Sequence, residues 1–287
     1  TAPSATEILK ISKEFNIEID DLKAPLDEEE RSRLEKEDNY TMILVDIPVI
    51  ERRNEKDWYE TIPLGIFITE KVIFTICLKE TRILKQFMDG LVPDFCTYKK
   101  TRFVYQILYN NAALYLHYLR VIDKKSEEIE KILLEDSKNQ DLIQLYELDK
   151  CLVYFTTSLK SNELVMEKML KTNSIRHYAE DEDLLEDVII ENKQAMEMTH
   201  IYHNILRSMM SLFSSIIDNN LNQIMKLLAA VTIVVELPTL ISAFYGMNVS
   251  PISMPLSTSP WAFGLIAVFS FVVCMVAVYI QKKKDLW

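Results

Sequence analysis

Two long apolar runs near the C-terminus constrain this chain more than any other feature of its sequence. Residues 249–281 contain no Asp, Glu, Lys or Arg. Within them, the run 261–280 has about 20 residues, roughly 30 Å as an α-helix, which matches the thickness of a bilayer core. An earlier run, 227–244, has about 18 residues and a single charge, Glu236. The sequence therefore predicts two transmembrane helices.

A lysine cluster after the second run predicts the orientation. Lys282, Lys283 and Lys284 follow that run almost immediately, and clustered positive residues at a membrane exit mark the cytoplasmic side. Two spans return a chain to the side on which it started, so the large domain before them is predicted to be cytoplasmic as well. We therefore expect a multi-pass protein of the inner or plasma membrane with both termini inside and only residues 249–260 facing out.

The acidic composition limits the partners and the chemistry. The formal net charge is −11, and a surface of this charge repels nucleic acid and attracts cations. The sequence shows no nucleophile beside a base, no paired catalytic acids and no nucleotide-binding loop, so it does not predict an enzyme. His200 and His203 lie three residues apart, which can place two imidazoles on one metal ion, although such a pair is more often ordinary exposed surface.

Residues 1–100 are predicted to form an N-terminal α/β domain. A helix at 6–15 precedes three runs rich in β-branched and aromatic residues, which predict strands at 40–50, 58–69 and 72–78. Pro48 and Pro63 fall within these strands and are expected at sheet edges or bulges.

The middle of the chain is predicted to be a helical stalk, 101–222, leading into a membrane part, 223–287. Neither proline nor glycine occurs between Pro93 and Pro238, which predicts helices at 101–135, at 141–171 and from 183 into the first apolar run. The last of these, with about 55 residues, would be roughly 80 Å long. A helix of this length needs lateral partners, so we expect an oligomer.

Polar and small residues form one stripe along the first predicted span. Thr232, Glu236, Thr239 and Ala243 recur at the spacing of a single helical face. A carboxylate at mid-bilayer costs roughly 2.5–3.5 kcal/mol, so Glu236 favours a face that lines water or binds ions. Extended in both directions, the same face collects Gly246, Leu228, Met225 and Asn222.

Gly246 and Asn248 follow this face at the predicted outer end of the span. A missing side chain at Gly246 lets several chains approach one another closely and leaves carbonyl groups exposed. Asn248 adds a neutral oxygen. A ring of such oxygens can hydrogen-bond the water shell of Mg²⁺, which gives up its water reluctantly.

The segment Tyr245-Gly-Met-Asn248 between two C-terminal spans, with the basic segment 281–287 closing the chain, resembles the CorA family of divalent-cation channels. The resemblance implies an α+β cytoplasmic domain, a long helical stalk and two C-terminal transmembrane helices in a funnel-shaped homopentamer. It implies a Mg²⁺ channel embedded in lipid, with Co²⁺ and Ni²⁺ as further candidate ions.

The resemblance also assigns roles to particular residues. It places the selectivity filter on Gly246, Met247 and Asn248, the inner mouth of the pore on Asn222, the hydrophobic constriction on Met225 and Leu228, and a pore-lining threonine on Thr239. It implies a regulatory Mg²⁺ site between subunits that combines Asp187 with Asp20 or, as the better fit, Asp21. Intracellular Mg²⁺ bound there would neutralise acidic repulsion and hold the pore closed.

Two alternatives remain open at this point. A carboxylate in the membrane can carry a proton, so Glu236 is compatible with proton-coupled transport of Zn²⁺ or another transition metal, as in the zinc branch of the same superfamily. The outer loop, 249–260, carries no charge, which is compatible with a structural or sensory membrane pentamer that conducts no ion.

Overall fold

A computed structural model describes residues 1–53, 56–135, 139–171, 178, 181–248, 250, 254–256 and 259–284. The chain divides into two compact units, Thr1–Ser211 and Leu212–Trp287. The three-part division at 100 and 222 stays a prediction.

The helices and strands follow the predicted order. The helices are α1 (Ala5–Phe15), α2 (Ile19–Lys23), α3 (Arg82–Met88), α4 (Lys100–Glu135), α5 (Asn139–Lys171), α6 (Glu182–Tyr245) and α7 (Ala262–Lys283), and a 3₁₀ turn, Ala24–Leu26, follows α2. The strands are β1 (Arg33–Lys36), β2 (Tyr40–Arg53), β3 (Lys56–Thr69) and β4 (Ile73–Cys77). The sequence did not predict β1, α2 or α3, because β1 has four residues, three of them charged, and α2 and α3 have only five and seven.

The four strands form one antiparallel sheet in the order β1-β2-β3-β4. β2 and β3 pair without a bulge from Tyr40 opposite Thr69 to Arg53 opposite Lys56. β1 pairs only with residues 41–44 of β2, and β4 only with residues 64–68 of β3. Pro48 and Pro63 lie beyond those pairings, where each strand has a free edge, which confirms the expected edge positions.

Both faces of the sheet are covered, which explains the almost continuous burial of β2. On one face, Ile8 of α1 and Leu22 of α2 join Met42 and Phe67 of the sheet in a single hydrophobic cluster. α4 and α5 pack against the strands as well. In the first unit, Asn192 of α6 donates a hydrogen bond to the carbonyl of Leu159 in α5, 3.1 Å away. The first unit is therefore a sheet with helices that anchor the start of α6.

At the edge of β2, the side-chain amide of Asn162 forms the two hydrogen bonds that a neighbouring strand would otherwise form. Beyond the start of β1, the N–H of Asp46 donates to Oδ1 of Asn162 at 2.8 Å, and Nδ2 of Asn162 donates to the carbonyl of Asp46 at 2.8 Å. Asn111 and Tyr115 of α4 donate to the same carbonyl. Because Pro48, the next residue on this edge, has no N–H, the edge ends with its donors satisfied.

The carboxyl group of Asp46 lies beside this edge, and the residue is partly buried. Burial raises the pKa of Asp46 to about 6, while Ser158 and Ser32 act in the opposite direction. A carboxyl group with a raised pKa stabilises the fold below the unfolded-state pKa of 3.8, and that contribution is lost as the pH rises through about 6. Ionised Asp46 is therefore a cost to the folded state at neutral pH.

We expect Asp46→Asn to raise the thermal stability of the purified full-length protein at pH 8. The raised pKa corresponds to a gain of up to roughly 3 kcal/mol, because the amide never ionises. The gain should be smaller at pH 4.5, which thermal unfolding at the two pH values would measure. Asp38→Asn, at an exposed turn, is the matched control. An equal gain at both pH values would contradict the assignment.

Candidate pore face

The two predicted spans are helical. Among the residues that the structure describes, two helices are long and apolar enough to cross a membrane, Asp183–Tyr245 and Ala262–Lys283. The first includes all of the run 227–244, and the second takes in nearly all of 261–280.

The polar stripe and the surface that packs against α7 lie on different faces of α6. Ala230 is 2% exposed and accepts a hydrogen bond from Nε2 of Gln281 in α7 at 3.3 Å. Val234, one turn later, also contacts α7. Thr232 and Glu236 are each two residues further along, which is about 200° around the helix. The polar stripe therefore points away from α7 and is exposed in the single chain.

The stripe presents one carboxylate without a protein partner. The hydroxyls of Thr232 and Thr239 donate to the carbonyls of Leu228 and Val235 one turn earlier, at 2.8 and 2.9 Å, so both hydroxyl protons are used within the helix. Within the described residues, Glu236 has neither a hydrogen bond nor an ion pair. A groove of about 400 Å³ runs beside it and is lined by Glu236, Thr239, Ala243 and neighbouring apolar side chains.

Pro238 interrupts the backbone hydrogen bonds of α6, and α7 supplies a replacement. A proline inside a helix removes the hydrogen bond to the carbonyl four residues earlier, which here is Val234. Sγ of Cys274 in α7 lies 3.6 Å from that carbonyl oxygen and donates to it. No water is available for an unpaired carbonyl within a bilayer. The thiol therefore compensates for the proline, a contact that the sequence analysis missed.

Gly246 ends the helix in a conformation that another residue could adopt. Its N–H donates to the carbonyls of Ser242 at 2.9 Å and Ala243 at 3.2 Å. A Cβ atom at Gly246 would meet its nearest neighbours at 3.4 and 3.6 Å, which is ordinary contact. The described part of the chain therefore gives no steric reason for glycine here. Met247 and Asn248 follow on the surface, and both are exposed.

The inner end of the same face is also exposed in the single chain. Met225 is 58% and Leu228 60% exposed, and Asn222 is exposed as well. The described residues therefore leave the large apolar side chains at this level mostly uncovered. The stripe positions predicted from the sequence lie within the last seven or so turns of α6, except Gly246, which directly follows the helix.

The acidic residues assigned to regulation lie on separate elements of the first unit. Asp20 and Asp21 belong to α2, and Oδ2 of Asp21 accepts a hydrogen bond from the Tyr40 hydroxyl at 2.5 Å. Asp187 is exposed on α6. Among the described residues, the fold of one chain assembles no group of three side chains that could hold a metal ion.

The predicted histidine pair is divided between two environments. Nδ1 of His203 lies 2.7 Å from Oδ1 of Asp149, so this side chain joins α6 to α5. His200 is exposed. A shared metal ion at these histidines stays a prediction.

The chain matches the family model described as CorA-like Mg2+ transporter protein over residues 1–283. It belongs to the CorA family. The family consists of transporters, which together with the two apolar helices places this CorA-family chain in a membrane. Membership of a transporter family is also consistent with a sequence that does not predict an enzyme.

Similar proteins carry names that agree with this family. The cobalt/magnesium transport protein CorA of Methanocaldococcus jannaschii is 30% identical over 290 residues, which cover 98% of this chain and 88% of the relative. The magnesium transport protein CorA of Campylobacter jejuni is 28% identical, with the same coverage of each chain. The complete structure of the CorA magnesium transporter from M. jannaschii superposes with a TM-score of 0.84 at 29% identity, covering 98% of this chain and 88% of that one. The predicted α+β domain, long helix and two C-terminal apolar helices are thereby confirmed.

We expect Cys274→Val to lower the stability of the purified protein in detergent, because valine fills a similar space but cannot donate to the carbonyl of Val234. The loss of one hydrogen bond to an otherwise unpaired group should cost about 1–3 kcal/mol. Cys274→Ser, which keeps a donor at this position, should retain most of the stability. Thermal unfolding of the three proteins tests this, and a valine variant as stable as the wild type would show that the contact is dispensable.

Proposed function

We propose that this protein is a homopentameric channel that carries hydrated Mg²⁺ across the membrane along a pore lined by α6. The observation that carries the proposal is the exposed stripe on α6, with Glu236 unpartnered and turned about 200° from the surface that packs against α7. A polar face that its own chain leaves uncovered needs water or further copies of the chain. Co²⁺ and Ni²⁺ are further candidate ions, and the relative in M. jannaschii is named a cobalt/magnesium transport protein.

The selectivity filter would be a ring of Gly246, Met247 and Asn248 from each copy. The contacts around Gly246 support this, because the described residues would accept a Cβ atom there, so a glycine would matter where several chains converge. Exposed backbone carbonyls and the Asn248 side chain can accept hydrogen bonds from water around Mg²⁺ without displacing that water.

Below the filter, the pore would pass Ala243, Thr239, Glu236 and Thr232. Each threonine uses its hydroxyl proton within the helix, which leaves oxygen lone pairs for hydrated cations. Leu228 and Met225 would then form a hydrophobic constriction that closes by excluding water, and Asn222 would surround the inner mouth.

Regulation by intracellular Mg²⁺ would take place between copies. Asp187 of one chain would face Asp21, or its neighbour Asp20, of the next chain. Its support is that the described part of one chain assembles no three-residue metal site, while Asp187 is exposed and a hydrogen bond from Tyr40 orients Asp21. Bound Mg²⁺ would cancel the repulsion between the acidic surfaces and favour the closed state.

The orientation proposed for the chain follows from its charge. Lys282, Lys283 and Lys284 end the second span and would lie on the cytoplasmic side, with both termini. The protein would then be a multi-pass component of the cell membrane, with residues 249–260 outside.

Proton-coupled transport of Zn²⁺ is the second candidate, and Glu236 is the observation that favours it. A carboxylate without a partner in a membrane is positioned to exchange a proton. In this mechanism, Glu236→Gln would abolish the dependence of flux on the pH gradient. In the channel mechanism, the same substitution would change the rate but create or remove no proton coupling.

We expect Asn248→Ala to lower Mg²⁺ flux into proteoliposomes by about tenfold or more, because each copy loses one oxygen of the filter. Ser250→Ala, two residues further along the loop, is the matched control. Uptake of Mg²⁺, Co²⁺, Ni²⁺ and Zn²⁺ would be compared at two external pH values for the wild type and for Glu236→Gln. Zn²⁺ uptake driven by protons would favour the second candidate, and no flux of any ion would leave a structural or sensory membrane protein as the remaining explanation.

We expect Asp187→Asn to raise the internal Mg²⁺ concentration that closes the channel by several-fold, because the site between copies loses a negative charge. Glu186→Gln, at the adjacent exposed position of α6, removes the same charge and serves as the control. Flux measured against internal Mg²⁺ gives the result. Equal inhibition of both variants and the wild type would show that Asp187 does not bind the regulatory ion.

A further inference from the structure

A small polar pocket lies between α3 and α4 in the first unit, and none of the residues proposed for transport or regulation lines it. Its volume is about 210 Å³. Thr81 fixes the start of α3 by accepting a hydrogen bond from the N–H of Leu84 at 3.1 Å. Four polar side chains line the pocket, Arg82 and Gln86 from α3 and Asn110 and His117 from α4.

Two basic side chains that line this pocket are in contact with each other. Nη1 of Arg82 lies 3.5 Å from Nε2 of His117. Among the described residues, Arg82 has no carboxylate partner, although the chain carries 43 acidic residues. A guanidinium group presents five N–H donors in a fixed plane, and the weak contact with His117 occupies at most one of them. Most of the donors of Arg82 therefore remain available to a ligand.

The two amide side chains add further donors. The Gln86 side chain has no hydrogen-bond partner among the described residues. Nδ2 of Asn110 donates one hydrogen to the carbonyl of Gln106 at 2.7 Å, and its second hydrogen is free. Ile83 and Leu114 form an apolar wall and are 1% and 8% exposed. This wall borders the pocket on one side, while Arg82 and His117 are exposed to solvent.

We propose that this pocket binds a small oxyanion of the phosphate type. Arginine pairs with phosphate oxygens through two parallel hydrogen bonds, and donors from two helices reach oxygens that point in different directions. The pocket is smaller than the roughly 300–1,000 Å³ of sites for drug-sized ligands. It therefore accommodates a phosphoryl group but does not enclose a larger molecule to which that group is attached. The site is independent of the proposed channel.

Equilibrium dialysis of the full-length protein in detergent against radiolabelled inorganic phosphate tests the proposal. We expect saturable binding at one site per chain. Arg82→Gln and His117→Gln should each weaken it by about tenfold, the effect of losing a charge-assisted hydrogen bond. Lys85→Gln removes a positive charge from an exposed position of α3 outside the pocket lining and should leave binding unchanged. Competition with a nucleoside monophosphate shows whether the pocket prefers free phosphate or a phosphate ester. The preferred ligand is the one that binds more tightly.

Two results would overturn the proposal. One is the absence of saturable phosphate binding to the wild type, and the other is equal binding by the wild type and both pocket variants. If phosphate does not bind and Arg82→Gln instead changes the oligomeric state in size-exclusion chromatography, the pocket holds a carboxylate of another copy and not an oxyanion.

Discussion

The absence of water inside a bilayer governs how α6 can be built. Every backbone group in that region needs a partner within the protein, and Pro238 removes one such partner from Val234. Cys274 replaces it with a thiol from α7. The Glu236 carboxylate on the same helix receives no such compensation among the described residues. At Val234 the backbone of α6 thus finds its partner within the chain, whereas the described residues offer none to the Glu236 side chain.

The period of the α-helix separates these two requirements. Ala230 and Val234 contact α7, while Thr232 and Glu236, two positions further on, face the other way. Each surface can therefore be altered with little direct effect on the other. Small and polar residues suit the face proposed for the pore, and apolar residues suit the face between the two helices. Together with the unconstrained Gly246, this division supports an assembly in which each chain contributes one face to a common axis.

The sequence predicted features that repeat at a regular spacing and missed features that depend on a single distant contact. The stripe through Glu236 and the strands β2, β3 and β4 follow from periodicity and residue type. Residue spacing could not predict that Cys274 would meet a carbonyl 40 positions away, although Pro238 alone indicated which carbonyl would lose its partner. The raised pKa of Asp46 could not be predicted either, since one acid within an apolar strand does not show which groups surround it in the fold. The regulatory roles proposed for Asp21 and Asp187 came from the family resemblance, because nothing in their spacing links them.

The side chain of Asn162 has a consequence for the behaviour of newly made chains. An open strand edge can pair with the edge of another molecule and so begin aggregation. Along this part of β2, Asn162 already occupies the N–H and carbonyl of Asp46, and Pro48 offers no donor at the next position. The edge is thereby closed to an incoming strand. In the proposed pentamer, copies would meet through their helices, and this closed stretch of edge would keep them from pairing wrongly through their sheets.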